Sequence, residues 1–483
     1  MRLRFSGGLE LYYKPRPVEL ELALCTLLEW MQRRGGPTLP RAEVVAGDGY
    51  GWMRGVVGPA SFEDRRDVER YFFRAGGLVF VAWALRATDL HWGNVVASAE
   101  GPVVVDAETF CSPSLAHGAM ARHGHTSSFG LDHEVLAESV IAPGLLRLEQ
   151  SGSGGERYDV GGLSGPGGHC IPRRRIWRGV GRDGLMPLWK AGEAPRERNL
   201  PGTPSGRATP RDHGEALRDG FATAYRWFVR NRSELLAEQG PLRDFRAARA
   251  RVLPRTSDFY AGVLQALSMP AQQRTAHARS LALEGLYRPL LGAARRPPAF
   301  DLVEHEQRSL DRGDLPYFLI RVDPDAASHA DAERSAAGDG DRAMAQLFAG
   351  QPSAWQLVVE RIGGLDDDDL ATQTAVIDLA LHAPSRIEVT SADVASGWRF
   401  TADERLGSET LRAEVERIVD RLEAWLAEPV GSRRPQAGTL ASSLYLGDLG
   451  IAVFLAEAGR WLEAPGASTS AARRGSAARQ VLL

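Results

Sequence analysis

The stretch TDLHWGNVVASAEGPVVVDAETF, residues 88–110, decides the fold expected of this chain. Two short apolar segments are separated by a turn at Glu100-Gly101-Pro102, which predicts a β-hairpin. Five polar residues flank its open end: Asp89, His91, Asn94, Asp106 and Glu108. Kinases use such a hairpin to hold a magnesium nucleotide, with carboxylate and amide ligands for the metal. The alternative is a hairpin whose acidic residues only face water, and five polar residues in this order disfavour it.

Lys14 is a further candidate for the same site. The chain has only two lysines, Lys14 and Lys190, in a background rich in arginine. Residues Arg2–Lys14 predict a β-hairpin with its turn at Ser6-Gly7-Gly8. A kinase-like fold carries its phosphate-binding lysine on a strand ahead of the metal-binding hairpin. The alternative is a solvated lysine, the usual state of this residue, but the order of Lys14 and the downstream hairpin favours phosphate binding.

The segments between Lys14 and the metal-binding hairpin predict alternating helices and strands. Glu19–Arg33 is expected to be an amphipathic helix, Ala42–Val57 a strand, turn and strand, and Phe62–Thr88 a second helix. The aromatic residues of this second helix are assigned to the core rather than to a cofactor. Residues 1–110 are therefore predicted to form a small α+β unit.

Composition restricts the class of protein. The chain has 483 residues, of which 43% are hydrophobic and 25% charged, and its net charge is −3. These values predict a soluble globular protein without a nucleic-acid partner. The sequence has neither a signal-peptide pattern nor an apolar run of about 18 residues, so no membrane span is expected. Cys25, Cys111 and Cys170 are far apart, which disfavours a zinc ribbon or disulfide framework and predicts a cytoplasmic location.

Residues 111–210 are expected to be irregular. They contain a glycine-rich loop at 160–168, which lacks the strand–loop–helix context of a nucleotide-binding loop and is interpreted as flexible. Four histidines at 117, 123, 125 and 133 suggest a metal site, but no carboxylate or cysteine spacing supports one. A mobile segment resembling a kinase activation loop is the favoured interpretation.

From His213 onward the pattern is mainly helical. Amphipathic helices are predicted over these ranges: Ala216–Ala237, Leu242–Arg249, Asp258–Leu267, Ala276–Leu291, Arg342–Phe348, Ala354–Arg361, Leu370–Leu381 and Glu409–Leu426. The acidic run Asp366–Asp369 is interpreted as a helix cap. Residues 428–438 are a candidate linker, and Gly466–Leu483 is rich in Ala, Ser and Arg and expected to be disordered.

Several motifs together resemble the dehydratase domain of class II lanthipeptide synthetases, the LanM type. The hairpin motifs are Asp89-Leu-His91-Trp-Gly-Asn94 and Asp106-Ala-Glu108. The others are Tyr12-Tyr13-Lys14-Pro15-Arg16, the glycine-rich loop at 158–168, Arg198-Asn199-Leu200-Pro201 and Gly313-Asp314-Leu315-Pro316-Tyr317-Phe318. Residues 442–457 are similar to the opening helix of that family's fused cyclase domain.

The resemblance implies a lipid-kinase-like, two-lobed α+β core with helical additions, followed by the start of an α/α-toroid cyclase. The expected divisions are a core at 1–110, an activation-loop-like segment and helical remainder at 111–427, a linker at 428–438 and a cyclase-like start at 439–483. The implied activity is phosphorylation of Ser and Thr in a precursor peptide with ATP and Mg²⁺. Elimination of the phosphate then gives dehydroalanine and dehydrobutyrine.

The resemblance also implies roles for individual residues in phosphorylation. Lys14 would bind phosphate, while Asp89, His91 and Asn94 would form the catalytic loop. Asn94 and Asp106 would hold Mg²⁺, and Glu108 would belong to the same polar cluster.

For elimination the family uses an Arg-x-x-x-Arg-x-Thr pattern, which maps to Arg251, Arg255 and Ser257. Serine in place of threonine keeps the hydroxyl. An arginine facing phosphate and a hydroxyl donor would stabilise the leaving phosphate.

The resemblance further implies a leader-bearing precursor peptide as partner, and a transporter or protease of the same pathway. The family's upstream Gly-Asp-x-His segment and its cyclase zinc ligands have no counterpart here, so an interior piece of a larger synthetase, or a misplaced start and early stop, is expected. Two alternatives remain. A small-molecule kinase of the aminoglycoside-phosphotransferase type shares the Asp-Leu-His-x-x-Asn loop, and a truncated remnant would bind peptide or nucleotide without turnover.

Overall fold

The computed structural model describes residues 1–113, 138–147, 149–151, 157–164, 174–179, 184, 186–190, 198–255, 257–290, 299–326, 339–382, 416–417 and 420. The chain divides into two compact units, Met1–Leu381 and His382–Leu483. The first unit mixes helices and strands, so the predicted α+β class is confirmed. Among the described helices, none combines the length and the apolar character needed to cross a membrane.

The N-terminal part is a four-stranded antiparallel sheet in the order β1-β2-β4-β3. Its strands and the helix that follows β2 are β1 (Arg2–Arg4), β2 (Glu10–Lys14), α1 (Glu19–Arg33), β3 (Val44–Ala46) and β4 (Gly51–Arg54). β2 lies in the centre, with Tyr12 opposite Arg2 on one side and Lys14 opposite Gly51 on the other. The hairpin predicted over Arg2–Lys14 and the bounds predicted for α1 are confirmed.

The predicted metal-binding hairpin consists of β5 (Val95–Ser98) and β6 (Gly101–Val104). Val95 lies opposite Val104, and Ser98 lies opposite Gly101. The turn is therefore shorter than predicted, because Gly101 already belongs to the strand. Its φ of +135° is accessible to glycine, which lacks a Cβ.

Two long helices cross behind the hairpin: α2 (Arg65–Ala84) and α3 (Gly214–Leu235). Asp64 caps α2 by accepting a hydrogen bond from the Arg66 N–H at 2.8 Å. The helices meet at glycines: a Cβ at Gly76 would lie 1.8 Å from the Leu217 carbonyl oxygen, and one at Gly220 would lie 1.7 Å from that of Phe73. The α+β unit predicted for residues 1–110 therefore shares its hydrophobic core with α3, which begins only at Gly214.

The aromatic residues of α2 are core residues, as predicted. Tyr71, Phe72 and Phe80 are buried, and the Phe80 ring lies 4.8 Å from that of Phe228 on α3. The partner face belongs to α3, which the sequence analysis predicted as an amphipathic helix over Ala216–Ala237.

A second hydrophobic cluster is formed by a strand pair and several helices. Its elements are β13 (Arg249–Val252), α5 (Ser257–Leu267), α7 (Ala276–Glu284), α8 (Ala299–Asp311), β14 (Phe318–Arg321) and α9 (Asp339–Leu347). The short helix α4 (Arg243–Ala247) precedes β13, and α6 (Pro270–Gln273) lies between α5 and α7 in the chain. β13 and β14 pair antiparallel, with Arg251 opposite Leu319. The sequence analysis predicted neither strand and did not predict α8. Leu302, Val303 and Leu310 of α8 are fully buried in this cluster.

The remaining described elements are short ladders and two helices. The ladders are β7 (Glu149–Ser151) with β8 (Arg157–Asp159), β9 (Arg174–Arg178) with β10 (Met186–Lys190), and β11 (Gly202–Thr203) with β12 (Gly206–Arg207). The helices are α10 (Ala354–Gly363) and α11 (Asp367–His382). Asp366 caps α11 by accepting from the Asp369 N–H at 2.8 Å, which confirms the capping interpretation of the acidic run.

Some predictions fall on residues outside the described ranges. They concern the four histidines at 117–133, positions 165–168 of the glycine-rich loop, Cys170, most of the helix predicted over 409–426, the linker at 428–438 and the cyclase-like start at 439–483. These remain predictions, as do the domain boundaries.

We expect Gly76→Ala and Gly220→Ala each to lower the free energy of unfolding by about 3 kcal/mol, since a methyl group would force α2 and α3 apart. The measurement is urea unfolding followed by circular dichroism. Gly262→Ala is the matched control, because a Cβ there meets nothing within 4 Å and alanine favours the helix α5. Equal stability of Gly76→Ala and wild type would contradict the close helix crossing.

Candidate functional site

The open end of the β5–β6 hairpin brings Asn94 and Asp106 together. Val95 pairs with Val104, and one step further the Val105 N–H donates to the Asn94 carbonyl at 2.9 Å. Asp106 follows directly. Because paired strands end together, residues 12 positions apart in the chain leave the ladder at the same place.

The loop before β5 is held in a specific conformation. Asp89 is half-buried with φ +57°, in the left-handed region that residues with side chains seldom adopt. The Asn94 Nδ2 donates to the Asp89 carbonyl at 2.8 Å. His91 Nδ1 accepts from the Gly93 N–H at 3.0 Å, which caps the short 3₁₀ turn Trp92–Asn94. The three predicted catalytic-loop residues therefore lie in one tight turn.

The described part of the glycine-rich loop packs against this turn. The Trp92 N–H donates to the Val160 carbonyl at 3.1 Å. A Cβ at Gly162 would lie 2.2 Å from the Leu90 carbonyl oxygen, so only glycine fits there. The buried Asn199 side chain donates to the carbonyls of Gly162 at 3.1 Å and Ser164 at 2.6 Å. The Arg-Asn-Leu-Pro segment thus holds this loop against the turn at 89–94, a role that the sequence did not indicate.

Lys14 lies at the same end of the hairpin. Its ammonium donates to the Val105 carbonyl at 2.6 Å and to Glu21 at 3.2 Å, and it lies 3.6 Å from Asp106 Oδ2. Its side chain is only 13% exposed, so the solvated alternative does not describe it. The structure places Lys14 beside Asp106, the predicted metal ligand.

Arg16 is the residue that connects the site, and the sequence analysis assigned it no role. Its guanidinium pairs with Glu21 at 2.6 Å, with Glu108 at 2.8 Å and, in a short contact, with Asp106. A sequence signal existed, since Arg16 lies two residues after Lys14 and alternate residues of an extended chain share a face. Glu21 was also missed, although it is a charged residue on the buried face of α1, beside Leu20 and Leu24.

The pKa values of two carboxylates in the cluster, Glu21 and Asp106, are shifted in opposite directions. Burial raises the pKa of Glu21, but Arg16 and then Lys14 lower it, so the pKa lies below its ordinary value. Burial also raises the pKa of Asp106, and there Lys14 and Arg16 do not compensate, so that pKa lies above its ordinary value. Burial therefore makes the ionised form of Asp106 less stable than that of an exposed aspartate, although Lys14 and Arg16 both contact it.

Glu108 extends the network to β13. Its carboxylate makes a short ion pair with Arg251 and accepts a hydrogen bond from the Tyr317 hydroxyl at 3.3 Å. The Arg251 N–H donates to the Glu108 carbonyl at 2.8 Å, which fixes the strand against the hairpin end. Arg251 therefore contacts Glu108, which lies 143 positions earlier in the chain and was predicted to belong to the same polar cluster as the phosphorylation residues. Tyr317 had been noted only as part of a motif.

Arg255 and Ser257 lie in different surroundings from Arg251. Arg255 pairs with Glu306 at 2.9 Å inside the second cluster, where its side chain is 3% exposed and that of Glu306 is fully buried. Tyr260 donates to the same carboxylate at 2.5 Å. Ser257 is exposed at the first position of α5. The roles predicted for both residues remain predictions.

The cluster has the composition of a site for a metal-bound polyanion. Three cations (Lys14, Arg16 and Arg251) face three carboxylates (Glu21, Asp106 and Glu108). Within the described ranges, no three His, Cys, Asp or Glu residues converge as a ready-made metal site. A phosphate group would pair with the cations while a divalent ion pairs with the carboxylates, which conserves the charge balance.

We expect Glu21→Gln to lower the free energy of unfolding at pH 7 by about 1–3 kcal/mol, since Lys14 and Arg16 lose a buried anion. The folded-state pKa is depressed, so this stabilisation is complete above the ordinary value of 4.5 and disappears as the pH falls through the folded-state pKa. Urea unfolding at pH 7 and at acid pH measures the difference. Glu29→Gln is the control on the same helix, where an exposed pair with Arg33 is removed. A pH-independent difference would contradict the ion pairing.

Comparison with known proteins adds one relative. Over 293 residues the chain is 24% identical to the Lacticin 481/lactococcin biosynthesis protein LcnDR2 of Lactococcus lactis subsp. lactis. The match covers 59% of this chain, and the chain spans 29% of the length of that relative.

A family model matches residues 1–321, which include the N-terminal sheet, the β5–β6 hairpin, Arg251 and Tyr317. The matched range is about two thirds of the chain and contains every residue of the charged cluster. The chain therefore belongs to the DUF4135 family, described as a domain of unknown function.

Proposed function

We propose that this protein acts in lanthipeptide biosynthesis as a peptide dehydratase. It would phosphorylate Ser and Thr of a leader-bearing precursor peptide with ATP and then eliminate the phosphate. The observation that carries the proposal is one continuous ion-pair network, which joins Lys14, Arg16, Asp106, Glu108 and Arg251. Residues assigned to the two half-reactions thus share one site. The name of the lactococcal relative supports the same pathway.

The contacts of Lys14 support the phosphorylation step. In kinases a strand lysine pairs with a helix glutamate, and an aspartate after the next hairpin binds the metal. Lys14 of β2 pairs with Glu21 of α1 at 3.2 Å and lies 3.6 Å from Asp106. We infer a lipid-kinase-like, two-lobed core, in which the N-terminal sheet with α1 forms one lobe.

The residues around the hairpin end fit Mg²⁺. Asn94 donates through Nδ2 to the Asp89 carbonyl, which leaves its amide oxygen as the ligand atom. The raised pKa of Asp106 is that of a carboxylate suited to a further cation. Oxygen ligands of this type are preferred by Mg²⁺, and when bound the ion neutralises the charge of the nucleotide phosphates. Asp89 would orient the acceptor hydroxyl and accept its proton.

Arg251 supports the elimination step. Its Nε is buried and has no hydrogen-bond partner among the described residues, so a donor remains for an anion. In the elimination, the proton on Cα goes to a base in the site or to water, and the C–H electron pair forms the Cα=Cβ bond. The Cβ–O bond breaks and its electron pair leaves with phosphate. A guanidinium stabilises that negative charge as it develops.

The proposed cellular location and pathway partners follow from the same reaction. A dehydratase of this kind works in the cytoplasm on the unprocessed precursor, and the modified peptide passes to a transporter or protease of the pathway. Zinc is not part of this site and belongs only to a cyclase domain.

We expect Asp106→Ala to abolish phosphorylation, since the metal ligand is lost. The full-length protein is incubated with ATP, Mg²⁺ and a precursor peptide encoded in the same genome, and products are followed by mass spectrometry. Asp311→Ala, which removes an exposed carboxylate paired with Arg279, is the control and retains wild-type activity. Undiminished phosphorylation by Asp106→Ala would refute the metal assignment, and a wild type that leaves the peptide unmodified would refute the proposed function.

We expect Arg251→Ala to phosphorylate the peptide but to accumulate phosphopeptide, about 80 Da heavier per site, because the leaving phosphate loses its cation. Arg249→Ala is the matched control two residues earlier on β13, where the side chain pairs with Glu19 at 2.8 Å. Arg255→Ala should instead lower stability by about 3–5 kcal/mol, since it leaves Glu306 buried without its partner. Fully dehydrated product from Arg251→Ala would exclude it from elimination.

A further inference from the structure

Tyr317 lies beside both charged groups of the elimination half of the site. Its hydroxyl donates to Glu108 Oε2 at 3.3 Å, and the Arg251 guanidinium carbon lies 5.1 Å from the centre of its ring. The residue precedes β14, whose pairing with β13 sets Leu319 opposite Arg251. Strand pairing therefore fixes the tyrosine and the arginine relative to each other.

We propose that Tyr317 is a second phosphate-binding residue, which donates a hydrogen bond to the phosphate held by Arg251 as that phosphate leaves the peptide. The proposal deepens the proposed function and rests on it. It gives the phenol a direct contact with the leaving group.

Arg251 has one donor that no described residue uses. Glu108 pairs with Arg251 through Nη1, while the buried Nε has no partner among the described residues. A phosphate offers three oxygens and can therefore accept from Nε and from a neighbouring hydroxyl together. The hydroxyl of Tyr317 is such a donor, since it shares the Glu108 carboxylate with Arg251. The hydrogen bond from Tyr317 to Glu108 is long and therefore weak, so its replacement by a hydrogen bond to a phosphate oxygen costs little free energy.

The protonation state of Tyr317 suits this role. Burial, followed by the negative charge of Glu108, raises the pKa of Tyr317 well above that of an exposed tyrosine. The phenol therefore stays protonated over the pH range of activity and remains a donor. An ionised phenol would repel the phosphate.

A substrate can reach the phenol. Tyr317 is 38% exposed, and the Arg251 side chain beside its ring is 15% exposed. Both residues are therefore partly open to solvent, and a phosphorylated side chain would meet them from that side.

The chemistry requires no additional reactant. Tyr317 keeps its proton throughout and stabilises the phosphate oxygen on which charge accumulates as the Cβ–O bond breaks. This is the role of hydrogen-bond donors that are placed where negative charge develops. Removal of one such donor slows a reaction by about 100-fold or more.

The competing explanation is that the ring of Tyr317 only supports Arg251 through a cation–π contact. Tyr317→Phe separates the two, because phenylalanine keeps the ring and loses only the hydroxyl. Tyr317→Leu removes both. Tyr50→Phe is the matched control, since it removes a hydroxyl from a 40% exposed tyrosine in the β3–β4 turn.

The test uses the full-length protein and inorganic phosphate, titrated by calorimetry or by ³¹P line broadening. We expect Tyr317→Phe to weaken phosphate binding about tenfold or more, the size of one hydrogen bond to a charged group. Arg251→Ala should weaken binding by at least as much as Tyr317→Phe, whereas Tyr50→Phe should leave it unchanged. Thermal unfolding midpoints of Tyr317→Phe and wild type should agree within about 1 °C, which separates a binding role from a structural one.

The second readout is the partition of peptide products. Tyr317→Phe should accumulate phosphopeptide, because elimination loses a hydrogen-bond donor. Its rate of phosphorylation should stay within about twofold of wild type. Phosphate binding equal to wild type in Tyr317→Phe, or no phosphate binding by wild type, would overturn the inference. A protein that binds phosphate through Tyr317 but modifies no peptide would instead overturn the proposed function.

Discussion

The Arg16 guanidinium, shared among three carboxylates, is the interaction on which this site depends. Each carboxylate comes from a different structural position: Glu21 from the first turn of α1, Asp106 from the end of the metal-binding hairpin, and Glu108 from the segment after it. A single planar cation with five donors can satisfy all three at once, which the point charge of a lysine cannot do as well. Arg16, together with Lys14, therefore holds the N-terminal sheet, α1 and the hairpin in contact.

This network is compatible with ligand exchange because its charges balance. Buried ion pairs contribute little net stability, but removal of one partner is costly. In the proposed function, phosphates would pair with the cations while Mg²⁺ pairs with carboxylates, so that positive and negative charges stay balanced. The pKa of Asp106 is raised and that of Glu21 is lowered, although both carboxylates pair with Lys14 and Arg16. Glu21 is accordingly a residue that positions Lys14 and Arg16.

Arg251 and Arg255 show how tertiary structure assigns different tasks to neighbouring arginines. Arg251 lies on β13 and reaches Glu108, while its Nε has no partner among the described residues. Arg255 lies four positions later, where it is enclosed by Glu306 and the Leu286 carbonyl in the second cluster. The same sequence motif therefore supplies one arginine to the open site and one to the core.

The sequence by itself determined the local elements and the order of the candidate residues. Period-two and period-3.6 patterns fixed the first hairpin, α1 and the metal-binding hairpin, because these depend on contacts between residues close in the chain. The polar residues at the ends of the predicted strands, and their order in the chain, indicated Lys14, Asn94 and Asp106 as candidates. Only the tertiary structure decided that Arg16 connects the site and that Tyr317 lies beside Arg251. It also decided that β13 pairs with β14 and that α2 and α3 cross at Gly76 and Gly220. All these features depend on contacts between segments that are distant in the chain. Composition and periodicity do not indicate which distant segments meet, or which of several arginines pairs with a given carboxylate.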